Sequence, residues 1–462
     1  MNPLRLSHLK KGYIDENKSY VIYWMQQSQR VHYNHALNHA IMLANQMRLP
    51  LLVFFGLSDN YPEANDRHYY FMLEGLKEVK ALLEKLHIHF LLIQGKPEEM
   101  ILRYLSDAQA LVMDYGYLKV PRTWRLHVLE ISKKRFDHLF IDMVDTDLIV
   151  PVRVASDKAE YGAYTIRPKI KKLYQSFRDF EKLEVLKYPK ALPFKSDDDL
   201  SDIDRLISTL NIDHSVKKSP YFKGGYQEAS HMFYDFIASH LDFYQDSNDP
   251  SKGHTSKLSM YLHFGQISAL EILERLFKHA EMHHIDGESL DQFIEQLLIR
   301  RELAFNYVVY HKGYDQFETM TEPWAYLTME QHEIDERPYL YDLETLEKGE
   351  THDAYFNAAM HEMVLTGYMH NYMRMYWAKK IIEWTQTFEK AYQTIIYLNN
   401  KYFIDGRDPN SYTGVAWCFG KHDRPWTERE VFGKLRYMND KGLERKFDIK
   451  RYVDRIESLR KG

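Results

Sequence analysis

The chain has 462 residues, 45% apolar and 27% charged, which exceeds one hydrophobic core and suits two or three water-soluble domains. A net charge of −5 argues against a general nucleic-acid binder, and a single cysteine, Cys418, excludes an internal disulfide and a four-cysteine zinc or iron–sulfur centre. The first twenty residues lack a signal-peptide core, and the longest apolar run, Leu49 to Leu57, contains Pro50 and is too short to span a bilayer, so a cytoplasmic protein with no membrane partner is expected.

Residues 1–150 alternate between two patterns. Tyr20–Trp24 (YVIYW) is a β-branched and aromatic strand, Asn34–Met47 has apolar residues at helical spacing, and Leu51–Phe55 (LLVFF) reads as a buried strand. Arg67–Leu86 predicts a long amphipathic helix, His89–Ile93 a strand, and Pro97–Leu105 a helix opened by its proline. Ala110–Met113 predicts a strand, Pro121–Phe136 a helix and Leu139–Val144 the last strand. The alternation implies a Rossmann-like α/β domain with a parallel sheet. Neither G-x-G-x-x-G after the first strand nor G-x-x-x-x-G-K-[ST] anywhere is found, so nothing marks a dinucleotide phosphate site here. His32, His35 and His39 share one helix face, but no carboxylate or cysteine stands at compatible spacing. They read as a solvated or pocket-lining face, and no metal site is expected.

Residues 151–225 are less regular and include the charge run Lys195-Ser196-Asp197-Asp198-Asp199, the mark of a connector. From 226 to 462 the pattern is all-α. Glu271–Ala280, Leu290–Tyr310, His352–Gly367, Tyr368–Thr385 and Glu389–Lys401 carry helical spacing.

The chemistry concentrates between Gly367 and Asn439. An aromatic helix with Arg374, Tyr376, Trp377 and Trp384 is followed by the polar loop Asp405-Gly406-Arg407-Asp408-Pro409-Asn410 and a second aromatic cluster, Trp417 to Trp426. This combination points to a pocket for a large, flat, partly polar ligand, with Arg374 and Asp405 as an ion pair across it. Upstream, Thr255-Ser256-Lys257-Leu258-Ser259 groups hydroxyls and backbone donors suited to a helix cap or a phosphate. In Arg300-Arg301-Glu302, adjacent charges do not share one helix face, so one turns inward; Glu302 is either a buried ion-pair partner or a positioned acid. From Lys421 to Lys461 thirteen Lys/Arg face eight Asp/Glu, a locally basic end.

These stretches closely resemble the class II DNA photolyases, flavin enzymes that split cyclobutane pyrimidine dimers with light. The resemblance rests on RMYWAKKIIEW (Arg374–Trp384), YLNNKYFIDGRDPNSYTGVAW (Tyr397–Trp417), HDRPWTEREVFGKLRYMN (His422–Asn439) and RKFDI (Arg445–Ile449). YWMQQSQRVHYNHAL (Tyr23–Leu37), TIRPKI (Thr165–Ile170), LSMYLHFGQIS (Leu258–Ser268) and RRELAFNYVVY (Arg300–Tyr310) support it, so it spans nearly the whole chain.

The resemblance implies an N-terminal antenna domain (1–150), a connector (151–225) and a helical domain (226–462) that binds folded FAD and DNA. It assigns Thr255, Ser256, Lys257, Leu258 and Ser259 to the FAD phosphates, with Tyr244 nearby. Arg374 and Asp405 match the salt bridge beside the isoalloxazine, and Asn399 the asparagine that faces flavin N5. Glu302 matches the acid that hydrogen-bonds the dimer; Met375 and Trp417 match the lining of the dimer pocket. Lys421, Arg424, Arg429, Lys434, Arg436, Lys441, Arg445 and Lys446 are the implied DNA contacts. The implied partner is UV-damaged DNA, the implied state a monomer, and the implied reaction an electron loan from light-excited reduced FAD to an extruded dimer. The antenna chromophore is left open among a deazaflavin, a folate, a second flavin and none.

The chain departs from the family pattern at three places. Phe356 stands where the family has a tryptophan of the photoreduction relay, whose other members match Trp377 and Trp384; Tyr355 offers an alternative route. Ser28 replaces a common Asp, and Ser247 a common Arg. A cryptochrome-type light sensor without repair activity is the rival reading, supported by Phe356 and opposed by Glu302, Met375, Trp417 and the lack of a tail after Leu459. A colourless α/β-plus-α nucleic-acid-binding protein is the third.

Overall fold

Strands β1 (Leu6–Lys10), β2 (Tyr20–Trp24), β3 (Leu51–Leu57), β4 (His89–Gln94), β5 (Ala108–Asp114) and β6 (Phe140–Val144) form one sheet in the order β1-β6-β5-β2-β3-β4. The structure is a computed structural model that describes residues 1–178, 180, 182–197 and 199–461; Asp198 of the charge run and Gly462 lie outside the described residues. Every pairing is parallel except β1 with β6. Strands β2, β3 and β5 are buried at every position, because helices α1 (His35–Met47), α2 (Asp66–Lys85) and α3 (Lys119–Arg135) cover both faces. That double burial is why YVIYW and LLVFF are continuous apolar runs rather than alternating ones.

Strand β1 is an addition to the expected sheet. Its sequence, LSHLK, is half-polar and only partly buried. Long-range pairing holds it: Lys10 Nζ donates to the carbonyls of Phe136, Asp137 and Leu139. The opposite edge, β4, is covered by the connector, where Asp197 N donates to Leu92 O at 3.1 Å and Leu92 N to Ser196 Oγ at 3.0 Å. A covered edge removes a template for unwanted strand pairing.

The remainder is helical. The elements that matter here are α4 (Arg301–Tyr310), α5 (Ala354–Thr366), α6 (Asn371–Trp384), α7 (Phe388–Tyr402), α8 (Pro409–Cys418) and α9 (Ile449–Lys461). Their ends follow the local chemistry. Asp353 caps α5 by accepting from the N–H groups of Tyr355 and Phe356, and Gly367, at φ +81°, terminates it. Asp408 caps α8, and Pro409 fills its first position. The expected single helix from Leu290 to Tyr310 is instead interrupted by a wide π turn, Glu295–Arg300, just before α4.

The two parts are joined by a continuous apolar core and a polar latch. One hydrophobic cluster includes Trp24, Phe54 and Leu111 of the sheet together with Phe305, Trp377 and Tyr452 of the helices. At the latch, Arg67 donates to the carbonyls of Met363, Val364 and Tyr402, His68 meets the Phe403 carbonyl at 2.9 Å, and Asn65 donates to Lys401 O at 2.7 Å. These carbonyls lie at the C-terminal ends of α5 and α7, where a helix runs short of internal donors and a cation is well placed.

Candidate functional site

A cavity of ≈ 660 Å³ opens between α6, the end of α7, α8 and the segment before α4. That size lies in the usual range for a cofactor pocket. Helix α6 contributes Arg374, Met375 and Trp377, α7 contributes Asn399, α8 contributes Trp417, and the loop between α7 and α8 contributes Asp405. Tyr244, Thr255, Ser256, Lys257, Leu258 and Ser259 close the far end. Residues as far apart in sequence as Tyr244 and Trp417 thus meet on one surface.

The polar floor is well ordered. Arg374 binds Asp405 in a bidentate pair at 3.0 and 3.2 Å, donates from Nε to Met369 O at 3.0 Å, and lies 3.9 Å over the Phe403 ring. Ser411 Oγ donates to the Asp405 carbonyl at 3.0 Å, fixing the loop. At the hydroxyl end, Thr255 Oγ1 and Tyr368 OH are 3.1 Å apart. Burial pushes the Tyr368 phenol up to about 12 and raises the Tyr244 phenol as well, so both are neutral hydrogen-bonding groups at physiological pH.

The donor set suits a flavin dinucleotide. Hydroxyls and Lys257 match a diphosphate, and the bidentate ion pair offers both a donor and an acceptor to a flat heterocycle. The buried Trp377 Nε1 has no protein acceptor, and a Cβ built on Gly414 would meet nothing within 4 Å, so the wall leaves room. Trp417 is half-buried at the cavity and supported from behind. Lys379, fully buried, donates to Cys418 O at 2.5 Å and lies 6.0 Å from the Trp417 ring. Its burial lowers the ammonium to about 8.

Glu302 departs from expectation. It does not line the cavity: its Oε1 accepts the N–H groups of Ile149 and Val150 at 2.8 and 3.0 Å, and its Oε2 is buried without a partner. Burial raises its carboxyl to about 8 despite those N–H groups and the Arg301 charge. The π turn explains the displacement, since an extra residue in one turn rotates the faces that follow. Glu295, Gln296 and Arg301 occupy the cavity wall instead. Glu295 pairs with Arg167 at 2.7 Å, and Arg301 donates to Asp147 O at 3.1 Å.

The basic end is only partly free. Lys421 is buried and bound to Glu322 at 2.6 Å, so it is not a surface phosphate ligand. Arg436 is held by Asp423 at 2.9 Å and lies 5.1 and 4.2 Å from the Trp417 and Trp426 rings, with Arg424 5.5 Å from the Trp426 ring. Arg424, Arg429, Lys434, Lys441, Arg445 and Lys446 are exposed. Sequence reasoning found the basic residues but not the ladder, whose order depends on Asp423.

Trp377 lines the cavity, whereas Trp384 is buried beyond it. The Trp384 ring meets Phe356 at 5.2 Å, Tyr341 at 5.5 Å and His352 at 5.1 Å. Tyr355 turns out to Glu444 at 2.6 Å, so Tyr341 rather than Tyr355 is the tyrosine beside this ring. His32, His35 and His39 do not converge: His32 stacks on Tyr226, His35 is buried against Phe180, and His39 bonds Asp142 at 2.7 Å.

A second, smaller cavity of ≈ 130 Å³ lies between the sheet and the helices, bounded by Gln26, Tyr61, Tyr69, Trp124 and Arg407. His263 and Asp408, 3.0 Å apart, line both cavities and form part of the wall between them.

A mostly parallel sheet joined to a helical body with a large polar and aromatic cavity defines a two-part cofactor-binding protein. Residues 21–190 match the DNA photolyase family. The chain is 44% identical over 457 residues, covering 98% of both chains, to a deoxyribodipyrimidine photo-lyase of Methanothermobacter thermautotrophicus. Its fold is similar to a bacterial class III photolyase from Agrobacterium tumefaciens, with a TM-score of 0.73 and 17% identity over 96% of this chain and 87% of that one. It is also similar to an archaeal photolyase from Sulfolobus tokodaii described with two FAD molecules, with a TM-score of 0.67 and 16% identity over 95% of this chain and 89% of that one. The chain belongs to the DNA photolyase family. Among the described residues, no helix is long and apolar enough to cross a membrane.

Proposed function

We propose that this protein is a class II photolyase that repairs cyclobutane pyrimidine dimers in DNA, acting as a monomer. The observation that carries this reading is the meeting of the Arg374–Asp405 pair, Asn399, Met375 and Trp417 in one cavity of cofactor size. Residues 1–150 serve as the antenna domain, 151–225 as the connector and 226–462 as the catalytic domain. Thr255, Ser256, Lys257, Leu258 and Ser259 hold the diphosphate of FAD, with Tyr244 beside them, and Arg374, Asn399 and Asp405 hold its ring system. When bound and reduced, FAD supplies the light-driven electron that opens the cyclobutane ring.

The protein's own part is to extract and orient the lesion. An enzyme that works on a base takes it out of the stack, and a dimer already distorts its duplex and lowers that cost. The half-buried Trp417 and the flexible Met375 offer an apolar wall for the extruded bases, and the Arg436–Trp426–Arg424 ladder stands next to them to meet the strand. Because Glu302 faces the Ile149 and Val150 amides, the polar contact to the lesion is assigned to Glu295 and Gln296 on the π turn. The smaller cavity is assigned to a light-harvesting deazaflavin, folate or flavin.

The sensor reading keeps one specific support, the withdrawal of Glu302 from the cavity. Two measurements separate the readings. Protein reconstituted with excess FAD is expected to retain one flavin per chain, and a colourless product overturns both. In the dark, the FAD-loaded protein is expected to bind a dimer-containing oligonucleotide at least tenfold more tightly than the undamaged strand. Equal binding leaves the sensor.

A further inference from the structure

Asn399 reaches the large cavity from the end of α7, and its amide is held from behind. Its Nδ2 donates to Asn400 Oδ1 at 2.9 Å. The same Oδ1 accepts the main-chain N–H of Arg407 at 3.0 Å, and Asn400 Nδ2 donates to the Glu63 carboxylate. Glu63 comes from the loop between β3 and α2, on the sheet side of the molecule, and adopts φ +58°. Arg407, at φ +59°, tightens the same point by donating from Nη1 to the carbonyls of Asn400 at 2.5 Å and Glu63 at 3.3 Å.

A side-chain amide has one donating and one accepting end, and its direction is set by its neighbours. Here the neighbours leave no choice. An ionised carboxylate only accepts, and a main-chain N–H only donates. Asn400 must therefore turn its nitrogen to Glu63 and its oxygen to Arg407. Asn399, meeting that oxygen, must commit its nitrogen to Asn400, which leaves its Oδ1 for the cavity.

We propose that Glu63 is a positioning residue which, through Asn400, fixes the Asn399 amide so that an acceptor oxygen faces the redox cofactor. The inference rests on the FAD reading above. Reduced flavin carries more ring N–H groups than oxidised flavin, so an acceptor held at the cavity wall favours the reduced form. The latch residues Asn65, Arg67 and His68 already join the two parts of the molecule. Glu63 adds a direction to that joint.

The test uses the full chain loaded with FAD and reads the midpoint potential of the bound flavin, with air reoxidation of the reduced flavin as a second signal. Glu63→Gln removes the acceptor-only anchor and lets both amides flip. The expected result is about a tenfold loss of preference for the reduced form, about 30 mV lower for a two-electron couple, and faster reoxidation. Loss of the negative charge by itself would move the potential upward, and loss of a mere fastener would lower thermal stability without moving it. An upward or unchanged potential overturns the proposal. Asn400→Ser keeps the Glu63 charge and frees Asn399, so it too is expected to lower the potential; it decides the matter if Glu63→Gln fails to load flavin. A parent chain that takes up no FAD overturns the FAD reading and this proposal with it, whereas a loaded parent with insensitive variants overturns this proposal alone.

Discussion

At the scale of single residues, Glu302 shows how environment overrides a motif. Its sequence setting leaves it a buried partner or a positioned acid, and the family resemblance implies an acid on the dimer, yet two main-chain N–H groups and burial make it an internal bracket between α4 and the Ile149–Val150 segment. A carboxyl raised to about 8 in the folded chain binds a proton that the unfolded chain has already released near pH 4 to 5. Its contribution is therefore complete below that range and is lost as pH rises through about 8. Glu302→Gln keeps an acceptor for both N–H groups and does not titrate. Urea unfolding between pH 5 and 9 is expected to show a flatter stability profile for the variant, with the gap in its favour widening at the alkaline end. Trp417 makes a different kind of contribution, a ring face open to the cavity. Trp417→Ala is expected to weaken dimer binding by about 1–3 kcal/mol, the usual loss of one base–aromatic stack, measured by titration of labelled oligonucleotide in the dark.

Among the elements, the start of α2 carries an unexpected load. Arg67 satisfies the terminal carbonyls of both α5 and α7 from inside the protein, and burial lowers its guanidinium to about 10. Arg67→Met removes the donors to those carbonyls and is expected to cost roughly 3 kcal/mol, read as a lower urea midpoint. In the aromatic layer of α5 and α6, Phe356 is fully buried 5.2 Å from Trp384. A Phe is much harder to oxidise than a Trp, so Phe356→Trp is expected to speed light-driven reduction of bound FAD, followed by loss of its blue absorption. An equal rate in parent and variant means that Tyr341 and His352 already complete the path outward from Trp384.

Most of these elements were legible because local pattern and global role agree. YVIYW and LLVFF announce a doubly covered sheet and stand where their sequences place them, whereas the expected loop Asp405–Asn410 ends earlier, because Asp408 caps a helix that begins at Pro409. The polar loop with Asp405 was legible for the same reason, since so much charge beside Trp377 and Trp384 needs a polar cavity. Strand β1 was hidden because LSHLK has little strand character and depends on pairing with β6, more than 130 residues away. The π turn at Glu295–Arg300 was hidden because its residues are ordinary helix formers, and only packing selects the wider turn. Glu63 was out of reach for a simpler reason: it meets Asn400 across 337 positions of sequence.

For the molecule as a whole, the sheet and the helices act as one body whose polar joint lies directly behind the large cavity. The net charge is −5, yet Arg424, Arg429, Lys434, Lys441, Arg445 and Lys446 are exposed on the basic end. DNA affinity is expected to fall steeply with added salt, with a slope of about 0.9 per neutralised phosphate on a log–log plot. Arg429→Ala is expected to reduce that slope by about one unit, and an unchanged slope places the strand elsewhere. The most direct test is a duplex carrying one defined cyclobutane thymine dimer, mixed with FAD-loaded, chemically reduced protein and followed by chromatography of the digested strand. Thymines are expected to reappear under blue or near-UV light and not in the dark. A dimer that survives illumination, with one reduced flavin bound per chain, contradicts the repair assignment.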